Sequence, residues 1–466
     1  MQRIVIENPV HLHFKSQPIR QGVPWPQGYV QPGSPLTARD ENGAALPLGV
    51  RTLNCWPDGS VQWSLLDFAI DLEPSGKRTI MVDAEPDDAS ELEASALLNA
   101  VSVATDEQGL TVANGLTEIR ISSRPGVLIE SWQANLGRVV EDNGFDVVLQ
   151  NADGNVFSAA RCSTKKVSVE DANPLRAVIR IEGRHEAEDG STLLDFWLRF
   201  TVTANRADVK VTYHYRNKEN QEPGIVLRSM AMRLQTALPP TTERAIVHSC
   251  RTRDFRTEPY RLHEDFEIVA SNTPHLATYP ETHRGLTGGG LGRVFIRQPE
   301  LLRDGAYKPW FLRDVADFKF GNVFPPEWGI WSYLGLVSDE GSLLCLGANM
   351  AGLHPKSLSI TGNVVQYSIW PEWAGPMDIT QGEGRTLAFF VGPLPPNASD
   401  DQLMNQYFSW EFGNIYAHHG IRPPVKVSLD TGHVRQCGVF AIDKLPAYDP
   451  RDNFAFERKV KNEWTP

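Results

Sequence analysis

The stretch Gln21-Gly22-Val23-Pro24-Trp25-Pro26-Gln27-Gly28, and after it Asp58-Gly59-Ser60-Val61-Gln62-Trp63-Ser64-Leu65-Leu66-Asp67-Phe68, decides the local fold. Pro24 and Pro26 lack a backbone N–H and push the residue before each of them into extended backbone, so this segment does not form a helix. Trp25 sits between the two prolines on a stiff loop, where a large ring is either a packing plug or a presented contact surface. Pro57-Asp58-Gly59 is turn chemistry, and the alternation of Val61, Trp63 and Leu65 with Gln62, Ser64 and Leu66 predicts a strand running out of that turn.

Working outward, residues 1–85 read as short strands with dense Pro and Gly: Arg3-Ile4-Val5-Ile6, a hairpin turn at Asp40-Glu41-Asn42-Gly43, then Arg78-Thr79-Ile80-Met81-Val82. This composition predicts a small β-barrel. Residues 84–100 turn acidic and then Ala- and Leu-rich, which predicts a linker with one short helix. From 101 to 397 strand signals dominate. The clearest is Leu194 to Arg216, where Phe196, Leu198, Phe200 and Val202 alternate with polar partners, a turn follows, and Val209, Val211, Tyr213 and Tyr215 resume the alternation. Long hairpins with one apolar face predict a large β-sandwich of supersandwich size. Residues 251–326 read as a long loop. Residues 398–466 begin with Ser399 and Gln402 in a capping-box pattern, which predicts a short helix, and continue as an extended tail. The expected fold class is all-β, with domains at 1–85 and 101–397 and a helix plus tail at 398–466.

The 57 acidic against 45 basic residues give a formal charge of −12, which argues against a nucleic-acid partner but leaves room for a local basic pocket. The five cysteines are far apart and form no C-x-x-C pair, a pattern that suits a reducing compartment. No run approaches the length of about 18 apolar residues that a membrane helix needs. Met1 to Pro9 carries no apolar core of a signal peptide, so a cytoplasmic location is expected.

Twelve tryptophans include Trp310, Trp328, Trp331, Trp370 and Trp373, which form either a core cluster or a sugar-facing set. Trp373, in Pro371-Glu372-Trp373, follows a strand and is expected on a loop as a stacking platform. His354-Pro355-Lys356 offers a His and a Lys beside a turn, able to bind or deprotonate an acidic sugar, or simply to form a hairpin corner. Tyr416-Ala417-His418-His419-Gly420-Ile421-Arg422 is the densest polar group. Adjacent histidines diverge and seldom share a metal, so no metal or other cofactor is expected. Tyr, His and Arg are the groups that an elimination next to a carboxylate requires, as base, acid and charge partner. Gly288 to Gly292 is not followed by Lys and Ser or Thr, so it is no phosphate loop. Asp314, Asp317 and Glu327 are acids in the aromatic region that leave paired-carboxylate glycoside hydrolysis open.

The segments QGVPWPQGYV and DGSVQWSLLDF resemble the N-terminal barrel of the exo-rhamnogalacturonan lyases and their YetA-like relatives. His354 to Leu358, Ile369-Trp370-Pro371 and Gln381-Gly382-Glu383-Gly384-Arg385-Thr386 resemble, in that order, their central sandwich. This chain departs from the family at Ala348 to Leu353 and at Thr386-Leu387-Ala388. The resemblance implies a RIFT-type barrel, a central β-sandwich and cleavage beside a uronic acid by β-elimination. Tyr416, His418, His419 and Arg422 would be catalytic, and Trp373, His354, Lys356 and Arg385 would bind substrate. The family continues into an α/α toroid, so a separate toroid domain or subunit would be a partner, together with the uronate-containing saccharide. A non-catalytic carbohydrate-binding or scaffold subunit is the alternative.

Overall fold

Extended backbone at Phe14–Pro24 pairs with Val61–Leu72, and Gly49–Cys55 pairs with the other edge of Val61–Leu72. Gly59 supplies the positive φ (+88°) that the turn before Val61 needs, and Oδ1 of Asp58 accepts from the Ser60 amide at 3.0 Å. The computed structural model describes residues 1–8, 13–84, 97–134, 137–219, 224–239, 243–249, 260–262, 266–271, 293–297, 331–347, 356–409 and 425–439. The chain divides into two units, residues 1–98 with 408–466, and residues 99–407. The expected linker helix at 85–96 lies outside the described residues.

In the first unit a second sheet runs in the order Lys426–Leu429, Gln2–Glu7, Lys77–Ala84, Leu36–Asp40, Ala45–Leu46. Both sheets share one core built from Ile4, Ile6, Ile19, Val23, Leu66, Phe68, Ile80 and Val82. Trp25 is the packing plug: it is fully buried, and its Nε1 donates to the Ser64 hydroxyl at 3.0 Å. Truncating such a side chain to Ala costs about 3–5 kcal/mol. The tail contributes more than extended chain. Lys426–Leu429 pairs with Gln2–Glu7, and a short helix follows at Thr431–Gln436. Nε2 of its His433 donates to the Pro24 carbonyl at 3.1 Å, and the ring meets Trp25 edge-on.

In the second unit the strand ladder has two long runs. One passes through Ser102–Asp106, Gly109–Ala113, Thr117–Ser122, Ile129–Ala134, Gly137–Asn151, Ile225–Thr236, Val364–Trp370, Lys356–Thr361, Phe266–Ser271 and Arg293–Arg297. The other passes through Lys166–Asn173, Arg176–Glu186, Thr192–Thr203, Val209–Arg216, Gly384–Leu394, Ser342–Gly347, Trp331–Val337, Glu243–Ser249 and Tyr260–Leu262. Short Val156–Ser158 bridges them. Both runs contribute to one core, including Phe145, Leu149, Met232 and Tyr367 from the first and Phe196, Phe200, Tyr213 and Phe389 from the second. This is the expected large sandwich. The loop expected over 251–326 is corrected by three strands, Tyr260–Leu262, Phe266–Ser271 and Arg293–Arg297. They are short and find their partners far away in sequence, which hides them from a periodicity reading. The capping box at the helix Asp400–Phe408 is formed reciprocally. The Ser399 amide donates to Gln402 Oε1 at 2.8 Å, and the Gln402 amide donates to Ser399 Oγ at 3.3 Å.

Candidate functional site at one end of the sandwich

Alternation along Val209–Arg216 buries Val209, Val211, Tyr213 and Tyr215 toward the core and leaves His214 and Arg216 on the outer face. The neighbouring strand Gly384–Leu394 is in register, with Tyr213 opposite Leu387 and Tyr215 opposite Arg385. Arg385 therefore shares the inward face of Leu387, Phe389 and Val391, at the end of the strand, where its side chain keeps 33 % exposure. In the other run of strands, Lys356 shares the inward face of Leu358 and Ile360 and is only 1 % exposed.

These two cations face the same end of the core. Burial, and next the charge of Arg385, push the Lys356 ammonium down to about 7. Glu383 lies 3.6 Å from Arg385, a partly exposed pair that stabilises little by itself. Tyr215 is fully buried, and its hydroxyl has no hydrogen-bond partner among the described residues. Burial raises its phenol to about 12, with Arg385 acting against that rise. A buried donor without an acceptor is costly, and such groups call for an explanation.

Asn217 holds this end together. Its Nδ2 donates to the Ile379 carbonyl at 2.8 Å, its amide donates to Glu383 at 2.9 Å, and its carbonyl accepts from Gly382 at 2.9 Å. Gly384 then lies so close to the Tyr215 carbonyl that a Cβ would meet that oxygen at 2.5 Å. Behind Tyr215, Tyr213 donates its hydroxyl proton to His185 Nε2 at 3.2 Å, and His185 Nδ1 donates to the Leu194 carbonyl at 3.2 Å. Leu194 sits at a bulge with φ of +47°, which turns that carbonyl.

Of the residues singled out in the sequence, Lys356 and Arg385 stand near enough for the Arg385 charge to act on Lys356. Trp373 lies on the single turn Glu372–Ala374 that follows the strand Val364–Trp370, and that strand ends beside the start of Lys356–Thr361. Its side chain, and all of His354, Tyr416, His418, His419 and Arg422, lie outside the described residues, as do Asp314, Asp317 and Glu327. Among the described residues no three His, Cys, Asp or Glu side chains gather as metal ligands, and no helix is long and apolar enough to cross a membrane. Sequence reading missed Tyr215, Asn217 and His185. Alternation marked Tyr215 as inward-facing but gave no sign that its hydroxyl lacks a partner.

The outer face of the same strands is self-paired. Trp197 donates to Glu182 at 3.1 Å and carries the guanidinium groups of Arg180 and Arg216 at 5.5 and 5.0 Å from its ring centre. Those cations have their aromatic and carboxylate partners on that face.

Residues 14–83 match the PcRGLX-like N-terminal RIFT barrel domain, and residues 101–252 match the PcRGLX-like central β-sandwich domain. The uncharacterized protein YetA of Bacillus subtilis (strain 168) is 23 % identical over 200 residues, which are 41 % of this chain and 22 % of YetA. The aligned part therefore spans about a fifth of that relative. Among solved structures, an alpha-mannosidase from Enterococcus faecalis V583 is 8 % identical, with a TM-score of 0.45 over 92 % of this chain and 46 % of that one. A galactose mutarotase related enzyme from Lactobacillus acidophilus is 9 % identical, with a TM-score of 0.33 over 62 % of this chain and 98 % of that one. On the two domain matches, the chain carries the PcRGLX-like N-terminal RIFT barrel and the PcRGLX-like central β-sandwich, in that order.

Proposed function

We propose that this is a carbohydrate-active protein that takes a saccharide containing a uronic acid, of the rhamnogalacturonan kind, and cleaves it by β-elimination. The observation that carries this reading is the inward cluster of Lys356, Arg385 and the Tyr215 hydroxyl. A uronate carboxylate is an anion of the kind that two inward cationic side chains attract. It also accepts the hydrogen bond that the Tyr215 hydroxyl lacks among the described residues. Elimination needs the same arrangement: the proton next to the carboxylate becomes removable only when the developing negative charge is neutralised. The two matched domains support a saccharide as the ligand. Tyr416, His418, His419 and Arg422 stay candidates for base, acid and charge partner, with Trp373 and His354 as further contacts.

A second reading is a non-catalytic saccharide-binding subunit that works with a separate toroid domain. Two cations and one hydroxyl donor are a sufficient set for holding a carboxylate without turning it over. Calorimetry with uronate-containing and neutral oligosaccharides, combined with absorbance of the conjugated C4–C5 double bond, separates the two. Binding with a rising absorbance supports the lyase, and binding without it supports the subunit. Equal affinity for neutral and acidic sugars contradicts both.

A further inference from the structure

We propose that the barrel carries a saccharide-binding platform of its own, the outward face of Tyr29 set upon the buried ring of Trp25, and that its ligand is a neutral sugar; this rests on the carbohydrate-active reading above. The sequence of the Pro24-Trp25-Pro26 loop offers two roles for a large ring, packing plug or presented surface. The fold divides them between two residues. Trp25 is the plug, fully buried, and Tyr29 on the same loop is 44 % exposed.

Tyr29 is held from both ends. Its ring lies nearly parallel to Trp25, 17° apart with centroids at 6.0 Å, so the exposed part is the side turned away from the indole. Its hydroxyl donates to Asp83 Oδ1 at 2.5 Å and accepts from the Met1 ammonium at 2.9 Å. Trp25 is itself fixed beneath. Its amide donates to the Gln62 carbonyl at 2.9 Å, its carbonyl accepts from Trp56 Nε1 at 3.0 Å, and the His433 ring meets it edge-on. The turn between the two rings is closed by the Tyr29 amide on the Pro26 carbonyl at 3.1 Å, with Gly28 at a φ of +78°. A ring fixed in this way loses little conformational freedom when a ligand arrives.

A rigid aromatic face open to water suits the C–H face of a pyranose, which buries apolar area on the ring while its hydroxyls stay wet. Those hydroxyls need polar partners, and the adjoining loops supply them. The Gly28 amide donates to Ser60 Oγ at 2.8 Å, Ser60 donates to Asp58 Oδ1 at 2.6 Å, and the exposed Gln27 hydrogen-bonds the Asp58 carboxylate. Asp58 accepts from sugar hydroxyls but repels a carboxylate, so a neutral sugar fits here better than a uronate. One exposed ring with few polar neighbours implies a weak contact, with a Kd on the order of 1 mM.

The test is saturation-transfer NMR and calorimetry of the full chain with neutral xylo-, gluco- and galacto-oligosaccharides, beside a uronate-containing oligosaccharide. The wild type should bind at least one neutral sugar, with transfer strongest to the C–H protons of one face of a sugar ring. Tyr29→Phe keeps the stacked ring and should bind within about threefold of wild type. Tyr29→Ala removes the ring and should lose about tenfold or more. Thermal melting checks that each variant is folded; if Tyr29→Ala is not, Tyr29→Leu, which is apolar without a flat face, takes its place with the same expected loss. A folded variant without the ring that binds neutral sugars as the wild type does overturns the platform, leaves Tyr29 as a cover for Trp25, and leaves the carbohydrate-active reading standing. A loss confined to the uronate-containing sugar overturns the neutral assignment. No neutral sugar bound by the wild type overturns the platform, and no uronate-containing sugar bound either overturns the carbohydrate-active reading as well.

Discussion

Tyr213 and His185 form a fully buried pair, the phenol donating to Nε2 at 3.2 Å while the far side of the ring donates to the Leu194 carbonyl. This fixes the neutral tautomer, because Nε2 must be bare to accept. Burial depresses the imidazole from 6.5 to about 4. The unfolded chain takes up a proton below about 6.5 that the folded chain refuses until about 4. Stability is therefore full above that window and falls as pH drops through it, by about 3 kcal/mol over its whole width. Denaturant unfolding at neutral pH and near pH 5 should show this drop in the wild type and a smaller one in His185→Gln. Equal drops in the two proteins would remove His185 from the account.

Tyr215→Phe separates a binding role from a packing role. The hydroxyl is buried with no hydrogen-bond partner among the described residues. Deleting it should leave stability unchanged or raise it by up to about 1 kcal/mol. Affinity for a uronate-containing sugar should fall about tenfold, the value of one hydrogen bond to a charged acceptor. A variant that melts lower and binds equally well would mean that the hydroxyl is held by the protein itself.

Arg385→Gln should weaken uronate binding by about 10- to 100-fold, the loss of a charge-assisted contact of roughly 1.5–3 kcal/mol, and leave neutral sugars unaffected. Because the Arg385 charge lowers Lys356, the same substitution should move the Lys356 titration upward. The pH dependence of stability reads this directly. The unfolded chain holds the Lys356 proton up to about 10.5, whereas the folded chain sheds it near 7, so the wild type gains stability as pH rises through that window. In Arg385→Gln the window should start higher.

The strand Lys426–Leu429 predicts a stability effect at the other unit. Val427 and Leu429 pack on the barrel core, and the strand pairs with Gln2–Glu7 along four positions. Val427→Asp should destabilise the 1–84 core by about 1–3 kcal/mol, because it sets a charge at a partly buried position packed on apolar neighbours. Hydrogen exchange should show lost protection at Ile4 and Ile6 and unchanged protection along Val209–Arg216.

The fold was largely legible because its signals are local. Two-residue alternation from Phe196 to Tyr215 needs no partner to be recognised, and Ser399 with Gln402 needs only three residues of spacing. The Pro24-Trp25-Pro26 segment announced extended backbone, although only packing could say that Trp25 points inward. What escaped depends on contacts that sequence distance conceals. Lys426–Leu429 is four residues in a Pro-rich stretch, and its partner is the first strand of the chain. Lys356 and Arg385 were each singled out by local motif, but they stand in separate runs of strands, and the action of the Arg385 charge on Lys356 comes from the core that the two runs share. Asn217 carries its role in three hydrogen bonds to Ile379, Gly382 and Glu383, none of which an isolated Asn after a strand signals.

The most direct test of the central claim is ultraviolet absorbance of the protein mixed with rhamnogalacturonan oligosaccharides, run beside Arg385→Gln. The account predicts a steady rise from the conjugated C4–C5 double bond with the wild type, reduced at least tenfold in the variant at subsaturating sugar. A rise that Arg385→Gln leaves untouched would contradict the site, and no rise with tight binding would contradict the lyase.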